Sequence, residues 1–335
     1  MSRCFIIAEA GVNHNGSLDM ALQLVDVASE AGADAVKFQT FSADRLVTRS
    51  ARKAAYQADA TGEGNQYEML KALELDADAF RQIAAHCAER GVEFLSTPFD
   101  LEDADLLDAI GVRAFKTPSG ELTNLPYLRH VAAKGKPMYV STGMADLGEV
   151  ERAVATILSA GNDELTLLHC ISSYPAPFDQ VNLNAMATLE LAFGVPVGFS
   201  DHTQGIEACI AAVAVGAACL EKHFTLDRNL PGPDHQASLE PTELAALIRA
   251  VRHVESALGD GIKRRMPCEE DTARVARRSV TLARPVADGQ CLAPEDLTLR
   301  RPGDGVPPDR LHECVGRTAA HDLPEGTTLQ WTDLQ

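Results

Sequence analysis

The chain has few aromatic side chains and no paired cysteines. Aromatic residues make up 5% of the 335 residues, with a single tryptophan, while apolar residues of all kinds make up 45%. A core built from alanine, valine, leucine and isoleucine favours helices packed on strands over a β-sandwich. The eight cysteines are scattered without a CxxC pair. This spacing argues against a disulfide framework and indicates reduced, mostly buried thiols.

Positive charge and long apolar runs are also scarce. The chain has 30 Lys and Arg residues and 48 Asp and Glu residues, which gives a net charge of −18 at pH 7. This balance argues against nucleic acid as a partner, and an anionic substrate must be held by a few local cations and backbone amides. A membrane span would need about 18 consecutive apolar residues, and none occur. The first residues reach Glu9 after a short apolar run, unlike a signal peptide, so we expect a cytoplasmic protein.

Short β-rich runs alternate with amphipathic helical stretches about eight times. The predicted strands are 5–10, 35–39, 92–99, 113–119, 137–143, 165–170, 195–202 and 218–224. Each run is almost continuously apolar, as is typical of parallel strands covered on both faces. Eight strand–helix units close a (β/α)₈ TIM barrel, with an open doubly wound sheet as the alternative. The barrel is favoured because GVNHNG, after the first strand, lacks the G-x-G-x-x-G of a dinucleotide-binding fold.

Two departures from this rhythm divide the chain further. The predicted domains are a catalytic barrel over 1–260, a charged linker over 261–278 and a small β-rich domain over 279–335. Since about 57 residues alone are marginally stable, we expect the last domain to dock on another surface. Within the barrel, the stretch 40–75, called the insert below, is unusually long for a connection. We predict that it forms a substrate lid or lines the pocket, with a surface excursion as the alternative.

Polar side chains cluster where the predicted strands end. They are Glu9, Asn13, His14, Lys37, Gln39, Thr97, Lys116, Ser119, Ser141, Thr142, His169, Ser200, Asp201, His202, Glu221 and His223. Barrel enzymes place their chemistry at this edge, so the pattern predicts an enzyme. Because an unpaired buried ammonium is costly, Lys37 and Lys116 indicate an anionic ligand or a carboxylate partner. The hydroxyls of nearby serines can add directed donors.

His202 and His223 end the last two predicted strands, which are neighbours in a barrel. Adjacent strands lie about 4.8 Å apart, so the two imidazoles can share a divalent cation. The carboxylates that can manage the protons of a water there are Glu9, Glu121, Asp201 and Glu221. Of these, Asp201 is expected to orient a lysine or a histidine.

The order of motifs along the chain resembles the sialic acid synthase family. The elements that carry the resemblance are IIAEAGVNHNG, VKFQTF, STPFD, FKTPSGELTNLP, VSTGM, LLHCISSYPAP, VGFSDHT, EKHFT, GPDH and RRPGDG. They extend from Ile6 to about Leu334. The resemblance implies a TIM barrel followed by an antifreeze-like (SAF, β-clip) domain. It also implies a transferase that joins phosphoenolpyruvate to an N-acetylated amino sugar, giving a nine-carbon sialic-acid-type sugar and phosphate.

The same resemblance implies roles for individual residues. Catalytic roles fall to Glu9, Lys37, Lys116 and Glu221. The phosphoenolpyruvate positions are Thr97, Lys116, Ser119, Ser141, Ser172 and Ser200, although some members carry Asn where this chain has Ser172. The amino-sugar positions are Gln39, Tyr174, Asp234 and Arg301. His202 and His223 would hold the metal, with Mn²⁺ expected and Mg²⁺ or Co²⁺ as alternatives. Arg301 would reach the partner subunit's active site, which makes a homodimer necessary for catalysis.

Several alternatives stay open at this stage. The acceptor is either N-acetylmannosamine or its 2,4-diacetamido-2,4,6-trideoxy relative, and GPDHQASLEP resembles the legionaminic and general bacterial branch. A second enzyme hypothesis is a synthase that acts on a phosphorylated sugar acceptor. A third hypothesis is a non-enzymatic protein that binds a glycan or a surface through its last domain.

Overall fold

The computed structural model of the chain describes residues 3–54, 57–58 and 61–335. The chain divides into two compact units, Met1–Gly259 and Asp260–Gln335. In the ranges just given, no helix combines the length and the apolar character needed to cross a bilayer.

Eight parallel strands form the wall of the first unit. They are β1 Phe5–Gly11, β2 Ala35–Thr40, β3 Glu93–Pro98, β4 Phe115–Thr117, β5 Met138–Ser141, β6 Leu165–Cys170, β7 Val197–Asp201 and β8 Cys219–His223. Their hydrogen-bonded order is β3-β2-β1-β8-β7-β6-β5-β4, so the first and the eighth strand are neighbours. Contact between β3 and β4 completes the ring. The predicted TIM barrel is thereby confirmed, and the open doubly wound sheet is excluded.

Helices pack around this ring. They are α1 Leu18–Ala31, α2 Ala43–Leu46, α3 Gln66–Leu73, α4 Ala77–Arg90, α5 Leu101–Ile110, α6 Leu125–Ala132, α7 Leu147–Ser159, α8 Ala185–Phe193, α9 Glu207–Ala214 and α10 Pro241–Leu258. Local sequence sets their ends. Ser17 caps α1 by accepting from the Met20 amide, and Gly32 ends that helix in the left-handed region at φ 85°. Asp146 and Glu149 form a capping box at the start of α7.

The interior of the ring changes from apolar to polar along the strands. A buried layer of small and aliphatic side chains fills it near the strand beginnings and consists of Ile7, Ala35, Leu95 and Ala114. Inward-facing positions recur every second residue along a strand. The next such positions on the first three strands are Glu9, Lys37 and Thr97, all buried. The barrel therefore has a plugged amino end and a polar carboxyl end.

In its described residues, the insert includes two short helices, α2 and α3, that are tied back to the barrel. The Glu74 carboxylate accepts the Ala43 amide at the start of α2 with a 2.6 Å hydrogen bond. From the same helix, Arg45 reaches α5, where it pairs with Asp100 and lies 2.5 Å from an Asp103 oxygen. These bonds hold α2 and α3 over the carboxyl ends of the strands. Residues 55–56 and 59–60 of the predicted insert lie outside the described residues.

The second unit has its own core and little regular structure. It contains α11 Glu270–Ala276, α12 Leu311–Cys314 and two antiparallel strands, β9 Ser279–Leu282 and β10 Leu297–Arg300. Its buried residues include Val280, Leu292 and Leu329. The segment 261–278, expected to be a linker, contains α11, and the Gly303 amide donates to the Arg274 carbonyl at 2.7 Å. That bond fixes the end of the segment to the small unit.

Candidate active site

A cavity of about 520 Å³ opens at the carboxyl ends of the barrel strands. Fourteen of the residues predicted from the sequence line it, namely Glu9, Lys37, Gln39, Thr97, Lys116, Ser119, Glu121, Ser172, Tyr174, Ser200, His202, Glu221, His223 and Asp234. Ser141 is buried on β5, and Arg301 is exposed in the second unit, directly after β10. A larger cavity, of about 1160 Å³, lies around the opposite ends of β7 and β8 near Arg252. Most of the polar strand ends face the smaller cavity, whereas Asn13, His14, Ser141, Thr142, His169 and Asp201 are not among its lining residues.

Lys37 lies at the centre of a buried network on one side of the floor. Its Nζ is 2.8 Å from Glu9 Oε2 and donates to Thr97 Oγ1 at 2.8 Å. Glu221 Oε2 lies 3.7 Å from the same ammonium. The lysine is 1% exposed, so its ammonium is shielded from solvent and lies among polar groups of the barrel.

Glu221 links Lys37 to the second lysine of the floor. Its Oε1 lies 3.1 Å from Lys116 Nζ and accepts the hydroxyl of Ser200 at 2.8 Å. Two ammonium groups and two carboxylates thus meet at the base of the cavity. Because β8, which carries Glu221, stands across the ring from β4, which carries Lys116, this contact crosses the barrel interior.

The two carboxyl groups have opposite electrostatic character. Burial raises the pKa of Glu9 to about 7, although Lys37 opposes the shift. Burial also acts on Glu221, but Lys116, Lys37 and the Ser200 hydroxyl outweigh it and hold its pKa far below the usual range. The pKa of Lys116 is raised, since its attraction to Glu221 and Glu9 outweighs the effect of burial. Near neutral pH, Glu221 is a fixed anion and Glu9 can exchange a proton.

The two predicted histidines face each other beside Tyr174. The ring centroids of His202 and His223 are 5.5 Å apart, and the Tyr174 ring lies 4.0 Å from that of His202. The Ile171 carbonyl is 2.7 Å from His202 Nδ1, which therefore carries a proton, so that Nε2 is the acceptor of the neutral ring. Asp234 is the nearest carboxylate to His223, with Oδ2 3.9 Å from Nδ1.

A divalent cation fits this pair. His223 Nδ1 is buried and has no hydrogen-bond partner among the described residues. Burial and the neighbouring His202 lower the pKa of His223 well below its usual value, so its ring is neutral, as a ligand must be. Within the described ranges, no group of three or more His, Cys, Asp or Glu side chains could hold a metal. A cation here would therefore take most of its ligands from water and substrate oxygens.

Ser119 and Ser172 form a hydroxyl-lined side of the cavity around a glycine. The Gly143 amide donates to Ser119 Oγ at 3.1 Å. A Cβ on Gly143 would lie 2.7 Å from Ser119 Oγ and would also overlap Ser172 Oγ. The absence of a side chain therefore lets the loop after β5 approach both hydroxyls. Ser141, at the end of β5, has a buried Oγ without a partner among the described residues.

The remaining predicted residues occupy the upper part of the cavity or stand behind it. Gln39 Nε2 donates to Glu9 Oε1 at 3.1 Å. Burial raises the pKa of Asp234 to about 6. Glu121 lines the wall and accepts from Asn124 Nδ2 at 2.7 Å. Asp201 pairs with Lys222 at 2.8 Å, in line with its expected role beside a lysine.

Sequence reasoning missed two features of the site. Cys170, at the end of β6, has its Sγ 3.7 Å from His202 Nδ1, and its place at a strand end was the available signal. The insert supplies an apolar wall that no motif indicated, and the residues of this wall, together with Phe99, are Phe41, Leu46, Val47, Met69, Leu70 and Leu73. The prediction that the insert lines the pocket agrees with this arrangement.

Fold and site together define a barrel enzyme with a buried, lysine-bearing pocket for an anionic substrate. The sequence profile of the NeuB family matches residues 24–263, and that of the SAF domain matches residues 277–335. The chain belongs to the NeuB family. Both the family and the enzyme class predicted from the sequence, a transferase with a C-terminal SAF domain, are thereby confirmed.

Three relatives place the chain within the family. An N,N'-diacetyllegionaminic acid synthase from Legionella pneumophila is 48% identical over 99% of this chain and 95% of its own length. A synthase of the same name from Campylobacter jejuni is 46% identical over 98% of this chain and 100% of its own length. The crystal structure of an N-acetylneuraminic acid synthetase from Leptospira borgpetersenii is 34% identical, with a TM-score of 0.72, and the match covers 81% of this chain and 90% of that one.

Proposed function

We propose that the enzyme condenses phosphoenolpyruvate with an N-acetylated amino sugar and water, giving a nine-carbon sialic-acid-type sugar and phosphate. The observation that carries this proposal is the pair of buried ammonium groups, Lys37 and Lys116, at the base of one cavity. Phosphoenolpyruvate brings a phosphate and a carboxylate, which need cations and directed donors. Thr97 and the cavity serines are assigned as these donors, together with Ser141, whose buried hydroxyl lacks a partner in the described structure.

The proposed reaction forms one carbon–carbon bond and breaks one carbon–oxygen bond. C3 of phosphoenolpyruvate attacks the open-chain aldehyde C1 of the sugar, and water adds at C2. The bond from C2 to the bridging oxygen then breaks, and phosphate leaves with that oxygen. The lysines and serines stabilise the charge that develops on the phosphate. Enclosure of both substrates in one pocket supplies their orientation.

Glu9 and Glu221 are assigned different parts in this reaction. A group that exchanges protons works best when its pKa lies near the operating pH, and the pKa of Glu9 is about 7. We therefore assign the proton transfer from the attacking water to Glu9. Glu221 stays ionised and holds Lys37 and Lys116 in place.

His202 and His223 are assigned as the protein ligands of a divalent cation, with Mn²⁺ expected and Mg²⁺ or Co²⁺ as alternatives. The facing rings and the unpartnered nitrogen of His223, within the described residues, support this assignment. Bound there, such a cation would polarise the aldehyde oxygen of the acceptor. The Ile171 carbonyl fixes the tautomer of His202 that leaves its Nε2 available.

The acceptor that suits the cavity best is 2,4-diacetamido-2,4,6-trideoxymannose. The apolar wall can pack against the C6 methyl group and the second acetamido methyl, which N-acetylmannosamine lacks. Lys37 and Lys116 are the only cationic side chains among the described lining residues, and both are engaged at the base. Within one subunit, a phosphate on the acceptor would therefore find no further lysine or arginine among these described lining residues. The two N,N'-diacetyllegionaminic acid synthases among the relatives agree with this choice.

Arg301 is proposed to complete the sugar site from a second subunit. In this scheme the barrel spans 1–260, the linker 261–278 and the SAF domain 279–335. Each SAF domain contributes its Arg301 to the sugar site in the barrel of the other subunit. Mixed dimers test the arrangement. Arg301→Ala and Lys116→Met should each have strongly reduced activity alone at phosphoenolpyruvate concentrations near the wild-type KM. Activity should rise when the two are refolded together, because one site of each mixed dimer is intact. No recovery in verified mixed dimers would contradict it.

The acceptor is tested by phosphate release with phosphoenolpyruvate and Mn²⁺. We expect a higher kcat/KM for 2,4-diacetamido-2,4,6-trideoxymannose than for N-acetylmannosamine, and no turnover of N-acetylmannosamine 6-phosphate. EDTA should abolish the reaction, and added Mn²⁺ should restore it. Faster turnover of the 6-phosphate would overturn the choice of acceptor, and turnover in EDTA would overturn the metal.

A further inference from the structure

A buried ion pair lies directly behind the two histidines. Asp201 Oδ2 is 2.8 Å from Lys222 Nζ, and the two side chains are 0% and 2% exposed. The β7–β8 register sets these two residues opposite each other. Side chains alternate along a strand, so Asp201 and Lys222 face the surrounding helices while His202 and His223 face the cavity. Each member of the ion pair immediately precedes one of the histidines.

Lys222 also holds the backbone on the far side of His202. Its Nζ donates to the Thr203 carbonyl at 2.5 Å. Asp201 Oδ1 accepts the Thr203 amide at 2.8 Å, and Oδ2 accepts the Thr203 hydroxyl at 3.1 Å. The residue before His223 therefore binds the residues on both sides of His202. From α9, Cys209 Sγ donates to Asp201 Oδ2 at 3.2 Å and anchors the pair to the outer layer.

We infer that the Asp201–Lys222 pair is a positioning device for the metal site. It fixes the end of β7 against the end of β8 and thereby sets the separation of the two imidazole rings. A buried ion pair generally adds little to stability compared with apolar packing, and its best-attested use is to select one register. Without the ion pair, the ends of β7 and β8 could fray and move the two histidines. A cation held by only two protein ligands tolerates little change in the spacing of those ligands. The inference rests on the proposed metal site.

The test is a titration of the full-length, substrate-free protein with Mn²⁺. Binding is measured from the electron paramagnetic resonance signal of the Mn²⁺ that stays free. Lys222→Met should raise the Kd for Mn²⁺ by about 10- to 100-fold, as for other groups that support metal ligands. Lys222→Arg keeps the charge and should stay within about 3-fold of the wild type. The matched control is Leu247→Ala, a change to a fully buried side chain on α10. It should lower Tm by a comparable amount and leave the Kd for Mn²⁺ unchanged.

Asp201→Asn is the second variant, for the case that Lys222→Met does not fold. The amide oxygen can still accept the Thr203 amide, so the turn survives while the charge on Lys222 loses its partner. We expect a Kd for Mn²⁺ raised by about 10-fold. A folded Lys222→Met or Asp201→Asn protein that binds Mn²⁺ as tightly as the wild type would overturn the inference. A wild-type protein that takes up no Mn²⁺ would overturn the metal site and this inference together, whereas turnover without metal would leave the reaction standing.

Discussion

Replacing Lys116 by methionine removes one of the two ammonium groups from the base of the cavity and keeps most of the side-chain volume. In the wild type, Lys116 Nζ lies 3.1 Å from Glu221 Oε1. Without it, Glu221 still faces Lys37 at 3.7 Å and still accepts the Ser200 hydroxyl. The carboxylate therefore keeps partners, and we expect the variant to fold.

The magnitude follows from the lost contact with phosphoenolpyruvate. A hydrogen bond to a charged group contributes about 1.5–3 kcal/mol, which corresponds to roughly 10- to 150-fold in affinity. We expect Lys116→Met to raise KM for phosphoenolpyruvate by that factor and to leave KM for the amino sugar within about 3-fold. A loss of kcat is expected as well, because the same ammonium stabilises the departing phosphate.

The assay is initial-rate phosphate release, with each substrate varied at a saturating level of the other. Lys136→Met is the control, since Lys136 pairs with Asp108 at 2.6 Å at the beginning of β5, away from the cavity. It should leave both KM values unchanged. If Lys116→Met kept a wild-type KM for phosphoenolpyruvate, the assignment of the cavity floor as the anion site would be refuted.

Three further perturbations test other parts of the site. The pKa of Glu9, about 7 when folded, exceeds its ordinary 4.5, so the carboxyl stabilises the fold at low pH and loses this effect as the pH rises through 7. Urea melts of metal-free protein from about pH 5 to pH 9 test this. Over that range the free energy of unfolding of the wild type should fall by about 3 kcal/mol more than that of Glu9→Gln. Parallel plots of the free energy of unfolding against pH for the two proteins would contradict this. Gly143→Ala should raise KM for phosphoenolpyruvate by displacing the Ser119 and Ser172 hydroxyls, and an unchanged KM would contradict the close approach. Arg45→Ala should lower the free energy of unfolding by about 1–3 kcal/mol and speed proteolytic cleavage within the insert. An unchanged cleavage rate would show that Arg45 does not anchor the insert.

The barrel could be predicted because its strands carry two simple signals. Runs such as FIIAEA begin with apolar residues on both faces and carry a polar residue near the end, as a buried parallel strand at the mouth of a barrel must. The facing of His202 and His223 followed from their equivalent places on neighbouring strands. These features depend on the period of a strand and on chain order, both of which are readable from the sequence.

Contacts across the barrel interior could not be predicted in the same way. The pairing of Lys116 with Glu221 depends on strand tilt and on which inward positions reach the same height, and neither is encoded locally. The approach of Gly143 to Ser119 depends on the path of a loop. The helix Glu270–Ala276, in the segment expected to be a linker, is short and highly charged, so its sequence lacks a clear apolar face.

The most direct test of the proposed reaction follows the bridging oxygen of phosphoenolpyruvate. The enzyme would be incubated with Mn²⁺, the diacetamido acceptor and phosphoenolpyruvate that carries oxygen-18 between C2 and phosphorus. The masses of both products would then be measured by mass spectrometry. The account predicts a nine-carbon keto sugar acid together with phosphate that retains the heavy oxygen, because the C2–oxygen bond breaks. Unlabelled phosphate, or phosphate released without a nine-carbon product, would contradict it.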